Sequence, residues 1–284
     1  MTKVRLAILF AALAVAATAT LAQRYYDRFD RGDVPDWQLD KEFPQDAFTF
    51  VRIQYSSGYG GRRGGGRGYG RGYGPGGGSW ATDFPDSDLN FSWRLHQLTS
   101  LKVNPVPLVL ELTDPELVNY PFIYLLEPGR GPMVLSEAEV EALRRYLLNG
   151  GFLMVDDFWG EDEWYNFYYE IKRVFPDREP VELPLSHPIF HAVFDLKEKP
   201  QIPSIDAALA GRSQGITWER PDAEEVHYKA IYDDKGRMMA IICHNTDLGD
   251  GWEREGEDEW YFHEFSEKKA YPLGINIVFY AMTH

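Results

Sequence analysis

The chain has 284 residues, 44% of them apolar and 15% aromatic, with 29 Lys and Arg set against 44 Asp and Glu for a net charge of −15. Such an apolar content excludes a disordered chain and supplies a packed core. The single cysteine excludes a disulfide framework and any multi-cysteine zinc or iron–sulfur centre, and the acidic balance argues against nucleic acid or anionic lipid as the main partner of the folded part.

Residues 1–22 predict a signal peptide: Lys3 and Arg5 precede an unbroken apolar run over 6–17, and Thr20, Leu21 and Ala22 put small residues at the right places for cleavage before Gln23. An uncleaved anchor is the alternative, but the stretch 6–22 is at the short limit for crossing a bilayer. The expectation is an exported protein of the periplasm or cell envelope, with no stable membrane span once the signal is removed. Residues 23–47 form a polar lead-in with Asp and Arg interleaved, and 48–284 are expected to be one α/β domain.

Alternation of β-prone residues predicts a first strand over 48–55. Of the 21 residues from 58 to 78, 13 are glycine, punctuated by four arginines and three tyrosines. That composition cannot offset its own backbone entropy, so 57–79 is expected to be a flexible basic loop within the domain. Asp86 and Ser87 are placed to cap a helix running to about 101. Short apolar runs at 108–112 and 122–126 have strand length. Ser136 with Glu139 makes a capping box for a helix that keeps Val140, Leu143 and Leu147 on one face and stops at Gly150 and Gly151. A buried strand follows over 152–155, then a helix over 165–175. The segments 228–232 and 238–243 flank Asp233, Asp234, Lys235 and Gly236, which is hairpin chemistry. A last helix is expected over 266–282, with Pro272 near its start or at a kink. Alternating strands and helices with fully apolar strands indicate a mostly parallel sheet covered on both faces, extended by an antiparallel hairpin.

Open parallel sheets bind ligands beyond the carboxyl ends of their strands. Asp156, Asp157 and Trp159 fall there, too early before Gly160 for simple capping. Asp83, Asp86 and Asp88 form a second acidic knot, in which Asp86, Asp88 and Asn90 open like a calcium loop that then fails, with Phe91 where glycine is needed and Gln97 at the closing glutamate. Arg94 follows on the helix, placed to neutralise these acids. The third knot holds His244, Asn245, Asp247 and Asp250 after a strand; their nitrogen and oxygen atoms suit either a divalent ion or an ordinary turn. These eleven residues are the candidate ligand-binding set. No residue is assigned to metal, and nothing in the sequence calls for a cofactor. His187 and His191 are read as structural, because Pro188 lies between them. Cys243 sits in an apolar strand and reads as an inert thiol.

The stretches Trp80 to Asn90, Gly150 to Trp159, His187 to Phe190 and Ala270 to Asn276 resemble domain-of-unknown-function family 4159, in order and over about residues 48–284. The resemblance implies a class I glutamine amidotransferase-like fold, a flavodoxin-like three-layer sandwich. It also implies company with envelope proteins bearing von Willebrand A domains and AAA-type ATPases, and no established activity. An amidotransferase needs a nucleophilic cysteine on a sharp strand-to-helix turn. The corresponding turn here is Asp156 to Gly160, and the sole cysteine lies elsewhere. The function expected is therefore a non-amidotransferase ligand-binding or interaction domain, with an envelope protein or a glycan as partner and not nucleic acid. The alternatives are a hydrolase using paired carboxylates or a carboxylate–histidine metal site, and a purely structural partner of an envelope ATPase complex.

Overall fold

A computed structural model describes residues 31–39, 46–56, 79–131 and 133–284. The expected signal peptide, most of the lead-in and the glycine-rich stretch 57–78 lie outside the described residues. The chain divides into units of Met1–Pro35 and Asp36–His284. In the first, Val34 N donates to Arg31 O (3.0 Å) in a turn.

The second unit is built on seven strands: β1 (Val51–Gln54), β2 (Leu108–Glu111), β3 (Phe122–Leu126), β4 (Phe152–Asp156), β5 (Val181–Glu182), β6 (His227–Tyr232) and β7 (Met238–His244). Their order is β2-β1-β3-β4-β7-β6-β5. The first five in that order are parallel, with β4 registered on β3 from Phe122 against Phe152 to Leu126 against Asp156. The β6–β7 hairpin is antiparallel and β5 extends it. This is the order of a flavodoxin-like sheet with an antiparallel extension.

Alternate residues of the parallel strands face opposite layers, as the pleat requires. Phe50, Phe122, Tyr124 and Met154 pack with α1 (Asp86–Leu98) and the C-terminal helix. Val51, Ile123, Leu153 and Val155 pack with α2 (Glu137–Leu148) and α3 (Gly160–Val174) on the other side. Besides four short 3-10 turns, the other helices among the described residues are the short α4 (Ile205–Gly211) and α5 (Leu248–Glu253), a turn Glu259–Tyr261, a π-helical segment Phe262–Ala270, and α6 (Tyr271–Thr283). Among the described residues no helix is long and apolar enough to cross a membrane.

Three helix expectations need correction. Asp86 and Ser87 lie inside α1 rather than capping it: Pro85 is the cap residue, and the helix ends at Leu98. The helix expected over 165–175 begins at Gly160. Its three acids, Glu161 to Glu163, form the first turn, where they favour the positive end of the helix dipole, and Glu163 Oε2 accepts from Trp159 N at 2.7 Å. The final helix, expected from 266, is instead nine π-helical residues running directly into α6, with Pro272 near the start of α6, one of its two expected placements. The capping box at Ser136 and Glu139 is present as expected.

Candidate functional site

Among the described residues, four other than glycine take left-handed backbone: Asp83 (φ 62°), Glu127 (φ 48°), Asp157 (φ 55°) and Asn245 (φ 61°). Glu127, Asp157 and Asn245 are the first residues past β3, β4 and β7, three neighbouring parallel strands. Such conformations are unfavourable for residues with a Cβ and gather at ligand-binding edges. They turn the chain sharply at the carboxyl rim of the sheet.

Arg52 brings Asp83 to that rim. Its place on β1 points it towards α1, where it is wholly buried. The guanidinium donates to Asp88 (Nε to Oδ2, 3.0 Å), to Ser87 Oγ (2.9 Å) and to the carbonyls of Trp80 (2.9 Å) and Thr82 (3.0 Å). Five donors in a planar fork thus fasten the 80–88 segment.

Around the rim, Asp83, Asp156, Asp157, Asp247 and Asp250 are 6%, 0%, 7%, 4% and 4% exposed. One carboxyl oxygen from each of Asp83, Asp157 and Asp247 lies within 4.8 Å of the other two, and Asp83, Asp250 and Glu253 form a second such set. Hydrogen bonds orient most of these groups. Asp157 accepts from Trp159 Nε1 (3.1 Å), Asp247 from Asp250 N (2.7 Å), and Asp250 from Ile205 N (2.5 Å) and Arg254 Nε (3.1 Å). Arg254 Nε also stands 2.8 Å from Glu253 Oε2. Asp156 Oδ2 accepts from Tyr124 OH (2.9 Å), Leu248 N (3.0 Å) and Gly249 N (3.1 Å). Asp83 Oδ2 and Asp156 Oδ1 are buried with no hydrogen-bond partner. Gly249 is required where it is: a Cβ there would meet Asp83 Oδ2 at 2.4 Å.

Burial without enough cations raises these acids. Burial pushes Asp156 up to about 7, against the opposing hydrogen bonds from Tyr124 and Gly249. Asp83 is raised well above the carboxylate range by burial, then by Glu253 and Asp250. Burial, Glu127 and Asp83 do the same to Asp157, and burial, Asp157 and Asp83 to Asp247. Burial takes Glu253 up to about 7 despite Arg254. A group of acids in this state must hold protons or a cation.

Of the eleven candidate residues, Asp83, Asp156, Asp157, Asp247 and Asp250 converge, with Trp159 orienting Asp157. Asp86 stands in the first turn of α1 and adds to the repulsion on Glu253. Asp88 is fully engaged by Arg52. Arg94 pairs with Glu255 (Nε to Oε2, 3.1 Å) instead of the aspartates. His244 is elsewhere: it stacks on Phe158 (centroids 4.9 Å) beside Trp164 (5.2 Å), and its Nε2 meets Gly160 O at 3.1 Å. Burial pushes it down to about 3, so it is a neutral core ring whose Nε2–H donates. Asn245 is a scaffold residue, accepting from Gly160 N (2.9 Å) and donating to Glu225 O (2.7 Å). Cys243 is buried in β7, where burial pushes its thiol up, as befits an inert side chain. The candidate set did not include Arg52, Tyr124, Glu127, Gly249 and Glu253.

Fold and rim together define a flavodoxin-like α/β protein with a buried carboxylate cluster where strands β3, β4 and β7 end. The domain of unknown function family DUF4159 matches residues 68–282, and the chain belongs to that family. No curated protein matches it.

Proposed function

We propose that this protein is a divalent-cation-binding domain, exported to the cell envelope, that uses the ion held at its carboxylate rim to engage a ligand or partner. In this reading it is a non-amidotransferase relative of the class I glutamine amidotransferases. The single observation that carries the cation reading is the convergence of Asp83, Asp157 and Asp247 oxygens within 4.8 Å, all three residues buried, one oxygen of Asp83 having no hydrogen-bond partner. Oxygen-only donors suit a hard ion such as Ca2+, Mg2+ or Mn2+, which keeps further positions for water or a ligand oxygen. The amidotransferase kinship is supported by the sharp turn between β4 and α3, where left-handed Asp157 stands at the place a thiol nucleophile would take. Glycan stacking is less well supported, because Trp159 is only 3% exposed and its indole N–H is spent on Asp157. The carboxylate–histidine version fares no better, since His244 turns away into the aromatic cluster.

Thermal unfolding of the full chain in chelator, then with Ca2+, Mg2+ or Mn2+, tests the reading. An ion at a hundredfold excess over its Kd adds about 2.7 kcal/mol. Wild type should gain stability, and Asp157→Asn and Asp247→Asn should not. Identical unfolding with and without every ion would end the proposal. A pull-down on peptidoglycan fragments or envelope extracts, with and without chelator, then asks what the loaded domain holds.

A further inference from the structure

We infer that the rim binds two divalent cations, bridged by the carboxylate of Asp83. The inference rests on the cation-binding reading above and deepens it. The two oxygen sets share a single member: Asp83 belongs both with Asp157 and Asp247 and with Asp250 and Glu253. A carboxylate has two oxygens and can give one to each ion, which is how paired-metal sites hold their ions about 3.5–4 Å apart. Asp83 is only 6% exposed, its carboxylate is in hydrogen-bond contact with Glu253, and its Oδ2 has no hydrogen-bond partner although it lies against Gly249. The flanking acids are held by groups that are not themselves candidate ligand oxygens: Trp159 Nε1 on Asp157, the backbone N–H of Asp250 on Asp247 and Ile205 N on Asp250. Such outer hydrogen bonds fix the direction of metal-ligating oxygens.

The two subsites are not equivalent. Arg254 Nε lies 3.1 Å from Asp250 Oδ1 and 2.8 Å from Glu253 Oε2, so a cation there competes with a guanidinium. No described hydrogen bond or ion pair brings an arginine onto Asp247 or Asp157. The Asp157–Asp247 subsite therefore fills first, and the Asp250–Glu253 subsite is weaker by roughly tenfold or more. A pair of ions so placed presents two adjacent open positions, a geometry that clamps an oxyanion such as phosphate or carboxylate between them.

The test is Mn2+ titration of the full, chelator-stripped chain, followed by calorimetry and by electron paramagnetic resonance. Wild type should take two Mn2+ in two steps and give the signal of a magnetically coupled pair. Glu253→Gln should lose the weaker step and leave an isolated-ion signal, with the first affinity unchanged. Asp83→Asn should abolish coupling and weaken both steps. Wild type needs no variant to decide the matter. A single Mn2+ per chain, with Glu253→Gln behaving as wild type, would overturn the bridged pair and leave the one-ion reading standing. Two uncoupled ions that survive Asp83→Asn would overturn it as well, and no binding at all would remove both.

Discussion

Asp83 and Asp88 sit five residues apart on one segment, both buried, and they live opposite lives. Asp88 meets Arg52 through two nitrogens and lies in a fully satisfied network of Ser87 and backbone carbonyls. Asp83 faces other acids and leaves an oxygen without a hydrogen bond. A buried charge with a complete set of partners explains itself as architecture. One without partners is an expense the fold carries for another reason, and charge repulsion is the property a cation would relieve.

That contrast can be broken in four ways. The largest effect belongs to Arg52→Met, which strands Asp88 in the core; urea unfolding should show a loss of about 3–5 kcal/mol, much of it restored by adding Asp88→Leu. A normal stability for Arg52→Met would erase the distinction. Next comes pH. Asp156 and Glu253 titrate at about 7 in the folded chain and near 4 when unfolded, so the native state binds the extra protons. Their contribution is fully present below about pH 4 and is lost as pH rises through about 7, so the metal-free protein should weaken by about 2–4 kcal/mol between pH 6 and 8. Burial would raise Glu182 too, but hydrogen bonds from His227 and Lys199 outweigh it and hold the group at about 2. Its opposite contribution is complete before that window opens. A metal-free stability that rises over the same range would contradict the unpaired state of the rim.

Third, Asp83→Asn in chelator should stabilise the protein by about 1–3 kcal/mol while removing the gain from added ion. Destabilisation in both conditions would make Asp83 a structural residue like Asp88. The smallest effect is expected of Arg94→Ala. Its pair with Glu255 is partly exposed, so thermal unfolding should move by about 0.5–1 kcal/mol, and Mn2+ affinity should not change. A large drop in that affinity would bring Arg94 back to the aspartates from which the structure separates it.

Much of the sheet is legible in the sequence because its parallel strands are short apolar runs between helix caps and glycines. The start of α3 is not, because Glu161 to Glu163 read equally as a loop before a helix or as its first turn; the contact from Glu163 to Trp159 N decides it. Nor does any local pattern announce the π-helical turn from Phe262 to Ala270. At the rim, the rule that ligands gather at strand ends brings Asp156, Asp157 and Asp247 together. Arg52 left a trace that was available, a charge inside the otherwise apolar run Phe50 to Ile53, which is covered on both faces. Glu253 left none, since its role depends on a fold-back from a segment 170 residues earlier in the chain, counted from Asp83 to Glu253. His244 and Arg94 show the converse: polar side chains close in sequence to the acids are claimed by aromatic rings and by Glu255.

The bare α-carbon at position 249 has a last consequence. Because Asp83 Oδ2 occupies the space a methyl would fill, Gly249→Ala would have to push that carboxylate aside. The missing side chain is thus the berth of an acid from a remote segment, and a single carbon added there would rearrange the charges of the rim without adding or removing one.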